Sequence, residues 1–402
     1  MPKVATKYGL PKDVVFCKRC VYSNQKPTST VENKHTKGEK KGTVAFGADG
    51  VCDACRVAEY KTKIDWKKRE KELWALCDKH RSKDGRYDCI VPGSGGKDSA
   101  FASHVLKYKY KMNPLTVTWS PHMYTDIGWK NFQNWIHVGG LDNVLFTPDG
   151  KVHRLLTKLA FENLLHPFQP FIIGQRNIGP KFALQYKVPL VFYGENPTEY
   201  GNNIKENDLP TMGEKFFAED TDPRDLFLGG VKVRDLVRTK KLSLSDLNPY
   251  LPAPTKELKK LGVKVHYLGY YLNWDPQESY YYATKHTGFQ ANTERTEGSY
   301  SKYSSIDDKI DPFHYLTTLV KFGIGRATYD AAQEIRNGKI TREEGVALVK
   351  KFDGEFPKKY FKEFLEYVSL SEKDFWRILD AGRSPHLWEK KGGEWKLKYT
   401  VK

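Results

Sequence analysis

Between Tyr87 and Tyr193 the chain alternates short apolar runs with amphipathic stretches. Tyr87–Val91, Leu115–Trp119, Val144–Thr147, Pro170–Ile173 and Leu190–Tyr193 read as strands, and Asp98–Tyr108 and Ile178–Tyr186 as helices between them. This alternation predicts an α/β unit, a parallel sheet covered by helices. Ligands of such sheets bind beyond the carboxyl ends of the strands, so the residues just after each strand carry the interest. Ahead of it, residues 64–80 read as a connecting helix. Its Trp66, Leu73, Trp74 and Cys77 recur at helical spacing, which makes Cys77 a core residue and not a ligand. After about residue 205 the pattern loosens, and residues 264–303 are rich in tyrosine. From Asp311 the pattern turns helical, over Phe313–Phe322, Ala327–Arg336, Thr341–Lys351, Pro357–Val368 and Ser371–Leu379. Thr341-x-x-Glu344 and Ser371-x-x-Asp374 are capping signals, and Gly338 and Gly354 sit where helices would stop.

The first 62 residues follow a different logic. Cys17-Lys-Arg-Cys20 and Cys52-Asp-Ala-Cys55 bracket a polar, glycine-bounded stretch, His35 to Gly42, that resembles a hairpin tip between two knuckles. A segment this short cannot bury enough core to fold unaided, so a metal staple makes physical sense. Four thiolates at this spacing suit structural Zn²⁺ and leave no open position for catalysis. An iron–sulfur centre is the alternative.

Ile90-Val-Pro-Gly-Ser-Gly-Gly-Lys-Asp-Ser99 falls where a strand ends and a helix begins. Backbone N–H groups of Ser94, Gly95 and Gly96 can close round a phosphate, and the helix N-terminus adds partial positive charge. Lys97 supplies a point charge, Ser99 a further donor, and Asp98 a ligand for Mg²⁺ on the phosphate oxygens. A Walker A loop is excluded, because aspartate follows the lysine. The run matches instead the S-G-G-x-D-S signature of the PP-loop ATP pyrophosphatases (adenine nucleotide alpha hydrolase-like). That resemblance implies cleavage of ATP between the α and β phosphates, with AMP passed to a substrate oxygen. Phe192-Tyr-Gly-Glu-Asn-Pro197 closes a later strand, so Glu195 would face the same site as a metal ligand or substrate clamp, although Gly-Glu-Asn-Pro is also good turn chemistry. Ile172 to Asn177 is a second segment that fits the site.

Six segments, the loop among them, narrow the resemblance: Phe16–Tyr22, Gly50–Cys55, Ser94–Ser99, Tyr193–Asn196, Gly269–Pro276 and Leu319–Arg326. With them the whole chain resembles the N-acetyl sugar amidotransferase family of surface-polysaccharide biosynthesis. The resemblance implies that ATP adenylates the amide oxygen of an N-acetyl group on a nucleotide-linked sugar, and that ammonia then yields the acetamidino group. Position 2 is proline, which excludes an N-terminal-nucleophile glutaminase, and a cysteine elbow is absent too. Ammonia would therefore come from a separate glutaminase working with a cyclase-like channelling subunit. Lys321 and Arg326, around Gly323 and Gly325, could bind phosphates of substrate or AMP; the competing reading is a glycine-marked helix break with solvated charges. Tyr270, Tyr271, Trp274 and Tyr280–Tyr282 could stack on sugar or base, or pack between domains.

The expected organisation is a zinc ribbon over 1–62, a linking helix over 63–86, the ATP pyrophosphatase domain over 87–300 and a helical region over 301–402. A net charge of +17 suits an anionic partner or a merely lysine-rich surface, and the lysines are scattered. The main rival is a tRNA-modifying PP-loop enzyme, lysidine-synthase-like or thiolase-like. Thiolation needs a cysteine near the loop, and none follows Cys89. A nucleotide-sensing module with a C-terminal helix-turn-helix lacks a basic recognition helix. No apolar run is long enough to span a membrane, and residues 1–7 show no signal-peptide core, so the cytoplasm is the expected location.

Overall fold

A computed structural model describes residues 5–36, 38–203, 208–218 and 221–402; the segment Met1–Val4, which bears on the signal-peptide reading, lies outside them. Five parallel strands form one sheet: β1 (Cys89–Pro92), β2 (Pro114–Trp119), β3 (Asp142–Phe146), β4 (Leu190–Tyr193) and β5 (Lys264–Tyr267). Their order across the sheet is β3-β2-β1-β4-β5. Every residue of β1 and β2 is buried, as expected of central strands covered on both faces. Register aligns Ile90 with Leu115 on one side and Val191 on the other.

The helices that matter to the site are α1 (Asp53–Lys61), α2 (Trp66–His80), α3 (Lys97–Tyr108), α4 (Asp126–His137), α5 (Gly150–Leu164) and α6 (Gln169–Tyr186). Pro170–Ile173, expected as a strand, is the first turn of α6. A four-residue apolar run fits a buried helix as well as a buried strand, and Pro170 at the helix start needs no N–H partner. Pro180, inside α6, leaves the Arg176 carbonyl without its usual donor. The Tyr193 hydroxyl, at the end of β4, donates to that carbonyl and to that of Gln175, both at 3.0 Å. Strand β5 was missed because its run is short and lies among tyrosines.

The chain lays β2 and β3 on one side of β1 and then returns to place β4 on the other. This reversal opens a crevice beyond the carboxyl ends of β1 and β4. The loops that meet there are 93–96 and 194–196.

The expected helices of the last hundred residues are present as Asp311–Phe322, Arg326–Arg336, Arg342–Phe352, Phe361–Val368 and Glu372–Gly382. Thr341 closes a full capping box with Glu344, and Ser371 caps its helix through the Asp374 amide. The chain then forms an antiparallel hairpin, Trp388–Lys391 with Glu394–Leu397. Gly392 and Gly393 turn it, both at positive φ. Around the N-terminal cysteines, Val44 and Val51 share one core cluster with Ala331, Ala332 and Val346, so the first and last parts of the chain pack together. No helix among the described residues is long and apolar enough to cross a membrane.

Candidate active site

The loop after β1 is shaped by close contacts at its glycines. Gly95 has φ +83°, and a Cβ there would lie 2.8 Å from Cα of Phe132 in α4. Gly93 is pressed against the Ser99 side chain, where a Cβ would come within 2.3 Å. Ser99 is engaged inside the loop: its hydroxyl donates to the Gly96 carbonyl at 3.0 Å and accepts from the Gly95 N–H at 3.2 Å. Ser99 thus holds the loop's shape, and the Gly95 N–H points inward to it. The first turn of α3 has Gly96 as N-cap with no side-chain cap, so its amide edge is left to whatever enters the pocket.

Lys97 and Asp98 pair at 2.5 Å, and the Trp274 indole N–H donates to the other Asp98 oxygen at 3.0 Å. Trp274 is held in turn by the Lys61 ammonium at the end of α1, which donates to its carbonyl at 2.7 Å and pairs with Glu199 at 2.8 Å. Glu195 joins the group from the β4 loop. Burial first, then the charge of Asp98, push its carboxyl up to about 7, against the pull of Lys97. The Tyr200 hydroxyl reaches it at 3.4 Å. Gly269 closes on this loop, its N–H donating to the Gly194 carbonyl at 2.7 Å.

The opposite wall comes from residues 303–307 and Arg326, and with the loop they line a pocket of about 140 Å³ that is open to solvent. Asp307 is raised by burial and by Asp308, while a Ser94 hydrogen bond and Lys97 oppose the shift. Its carbonyl accepts from the Thr125 N–H at 3.1 Å. Gly128 of α4 has no room for a Cβ beside the Asp307 backbone, which fixes this wall against α4. Arg326 points its fork at Asp330, with Nε to Oδ2 at 3.1 Å and a second contact at 2.9 Å, and also donates to the Tyr315 hydroxyl.

The pocket therefore brings together Ser94, Gly95, Gly96, Lys97, Asp98 and Arg326, with Glu195 beside Asp98. Lys321 is not part of it. It is buried, paired with Glu32 and hydrogen-bonded to the Leu164 carbonyl at 2.9 Å, so its charge is met inside the protein. Trp274, expected to stack on sugar or base or to pack between domains, instead orients Asp98, and Asp307 was not foreseen as a site residue. The segment Gly269–Pro276 had stood out as a motif, but nothing in it tied one indole to Asp98. A Lys beside two carboxylates at a helix N-terminus can hold a divalent cation and a polyphosphate together.

A second centre lies in the N-terminal unit. The Sγ atoms of Cys17, Cys20, Cys52 and Cys55 all lie within 4.8 Å of one another. Cys17 and Cys55 are 3.9 Å apart and Cys20 and Cys52 3.6 Å. One tetrahedral ion with bonds of about 2.3 Å would set its sulfurs about 3.8 Å apart. Backbone N–H groups of Arg19, Tyr22 and Cys52 point at Cys sulfurs at 3.3–3.5 Å, which suits thiolates. The four residues fit one metal ion. Cys77 and Cys89 are buried elsewhere, in the core cluster beside α3.

Residues 297–402 match a family model described as LPS biosynthesis protein WbpG-like, C-terminal domain. That stretch supplies Asp307 and Arg326 to the pocket. An uncharacterized protein of Methanocaldococcus jannaschii, MJ1599, is 35% identical over 83 residues, 21% of this chain and 29% of that protein. The chain thus spans under a third of the length of the curated relative it matches. Among solved structures, the NH3-dependent NAD synthetase of Campylobacter jejuni is similar at 16% identity, over 36% of this chain and 59% of that one, with a TM-score of 0.26. The U34-tRNA thiolase NcsA of Methanococcus maripaludis, with its 4Fe-4S cluster, is 12% identical over 85% of this chain and 100% of its own, at TM-score 0.29. The NMN synthetase of Francisella tularensis is 14% identical over 57% and 89%, at TM-score 0.26. These three likenesses are too distant to bear on chemistry.

Proposed function

We propose that the chain is an ATP-dependent amidotransferase that converts an N-acetyl group of a nucleotide-linked sugar into an acetamidino group, in surface-polysaccharide synthesis. The observation that carries the reading is the juxtaposition of the Ser94–Ser99 loop, two adjoining carboxylates and a pocket wall drawn from the stretch that matches an LPS-biosynthesis family model. The α3 amides and Lys97 would receive the ATP phosphates. Asp98 and Glu195 would hold Mg²⁺, which when bound neutralises phosphate charge.

The reaction balances as follows. The amide oxygen attacks the α-phosphorus of ATP, pyrophosphate departs, and the oxygen carries AMP. Ammonia adds to the imidate carbon, AMP leaves with the former amide oxygen, and a C=N bond replaces C=O. The protein's share is to align oxygen, phosphorus and nitrogen and to stabilise the departing charge. The ammonia source is proposed to be a separate glutaminase with a channelling partner, acting in the cytoplasm. We assign structural Zn²⁺ to the four cysteines, because the short sulfur separations suit a single ion better than a cluster whose thiolates sit on different irons. The proposed division is a ribbon over 1–62, a linking stretch over 63–86, the nucleotide domain over 87–300 and the C-terminal region over 301–402.

The test is AMP and pyrophosphate release from Mg-ATP with ammonium, comparing UDP-N-acetyl sugars with bulk tRNA. Stimulation by a sugar nucleotide, lost at least about a hundredfold in Asp98→Ala, is the expected outcome. Stimulation by tRNA alone would replace this reading with a tRNA-modifying one.

A further inference from the structure

The same edge of the sheet carries a second cavity, about 130 Å³ and open to solvent, bordered by α6, residues 216–218, 226–228 and 250–252. It has no lining residue in common with the loop pocket. The cation in it is Arg176, whose guanidinium lies near Tyr193 and Tyr267, the last residues of β4 and β5. Tyr193 precedes Glu195 by two residues, so the cavity adjoins the strand end that serves the loop pocket.

Arg176 is unlike Arg326. The fork of Arg326 is closed on Asp330, whereas Arg176 has no carboxylate partner among the described residues; the Phe216 ring lies 5.7 Å from it. Burial lowers its hold on the proton, with the two tyrosines opposing. A half-buried guanidinium without a counter-ion is costly, and an entering anion would offset that cost. Two more cations stand at Phe227 on the cavity wall: the Lys34 ammonium 5.0 Å from the ring and that of Lys232 at 5.8 Å. Lys232 also lies 3.6 Å from Asp225, while Lys34 comes from the excursion between the two cysteine pairs. Phe216, Phe217 and Tyr250 complete an aromatic lining. A planar fork binds phosphate oxygens two at a time, and aromatic walls accept a flat ring.

We propose that this cavity binds a nucleoside diphosphate, with Arg176 clamping the phosphates and the aromatic wall holding the base. Its assignment to the sugar nucleotide, as carrier of the N-acetyl group, rests on the amidotransferase reading; the diphosphate site does not.

The experiment is calorimetric titration of UDP, inorganic pyrophosphate or uridine into the full chain, with the loop pocket saturated by Mg²⁺ and a non-hydrolysable ATP analogue. UDP binds, pyrophosphate binds more weakly, and uridine does not bind. Arg176→Leu weakens UDP at least about tenfold, Arg176→Lys recovers part of it, and affinity for the ATP analogue is unchanged. Phe227→Ala is the second variant and weakens UDP more than pyrophosphate. No UDP binding to the wild type, equal binding to Arg176→Leu, or competition between UDP and the ATP analogue overturns the proposal. UDP binding through Arg176 without any sugar-stimulated AMP release leaves the cavity standing and removes the amidotransferase reading.

Discussion

If Glu195 is a metal ligand, as proposed above, the site is a pH-dependent metal trap. Its carboxyl is raised from 4.5 to about 7 by burial and by the Asp98 charge, so near neutral pH it is half protonated before a cation arrives. A divalent ion bound by Asp98 and Glu195 must displace that proton. At pH 6 about nine-tenths of a proton should be released per ion bound, at pH 7 about half, and at pH 8 about one-tenth. Metal affinity should climb nearly tenfold per pH unit below about 7 and level off above it. The stability effect has the opposite sign. The folded chain holds this proton more tightly than the unfolded one, so ionising Glu195 costs stability as pH rises from about 4.5 through about 7. Calorimetry of Mn²⁺ or Mg²⁺ binding in two buffers of different ionisation enthalpy measures the protons directly. Glu195→Gln should bind metal more weakly and release none. Proton release that persists in Glu195→Gln, or that is absent from the wild type at pH 6, would refute the assignment of Glu195 as a ligand.

Three further outcomes can be checked separately. Trp274→Phe keeps the ring but removes the donor to Asp98, a hydrogen bond to a charged group worth about 1.5–3 kcal/mol, so kcat/KM for Mg-ATP should fall at least about tenfold with Tm little changed. Chelation of the metal, or Cys52→Ser, should open the N-terminal unit, seen as fast hydrogen exchange over residues 16–60 while β1 and β2 stay protected. Lys321→Met removes the buried lysine from Glu32, which keeps Lys41 at 2.9 Å, and should cost less than the about 3–5 kcal/mol of a wholly unpaired buried charge in urea unfolding, while the ATP affinity of the surviving fold is unaltered.

The parts of the site that were legible in the sequence are those written in contiguous residues. Gly93 to Ser99 announces itself because glycines, a lysine and an aspartate must follow one another where a strand meets a helix. The two cysteine pairs do so because tetrahedral ligation needs that spacing. Four of the five strands were legible from their apolar runs; β5 was hidden by its length, and Pro170–Ile173 misled because a run of four has no measurable period. The closing hairpin had a signal that was passed over, Gly392-Gly393 between two alternating segments. Lys321 and Arg326 show the limit most sharply. They are five residues apart in one motif, yet the helix ending at Phe322 turns one into the interior and the next helix delivers the other to the pocket.

What sequence spacing cannot express is support from a distance. Asp98 is oriented by Trp274, from 176 positions further along the chain, and Trp274 is held by Lys61, from the helix that starts beside Cys52 and contains Cys55. The far wall of the pocket is fixed by Asp307 lying on Gly128 with no space between them. The loop is therefore only half of the proposed nucleotide site. Its phosphate-binding half is local and folds with β1 and α3, whereas its carboxylates and its far wall depend on the N-terminal unit, on Gly269–Pro276 and on the stretch from residue 297. A fragment limited to the sheet and its helices would keep the loop and lose the indole that orients Asp98 along with the Asp307 wall. Such a fragment should bind phosphate without discriminating ATP from pyrophosphate, because the groups that could tell them apart are supplied by the rest of the chain.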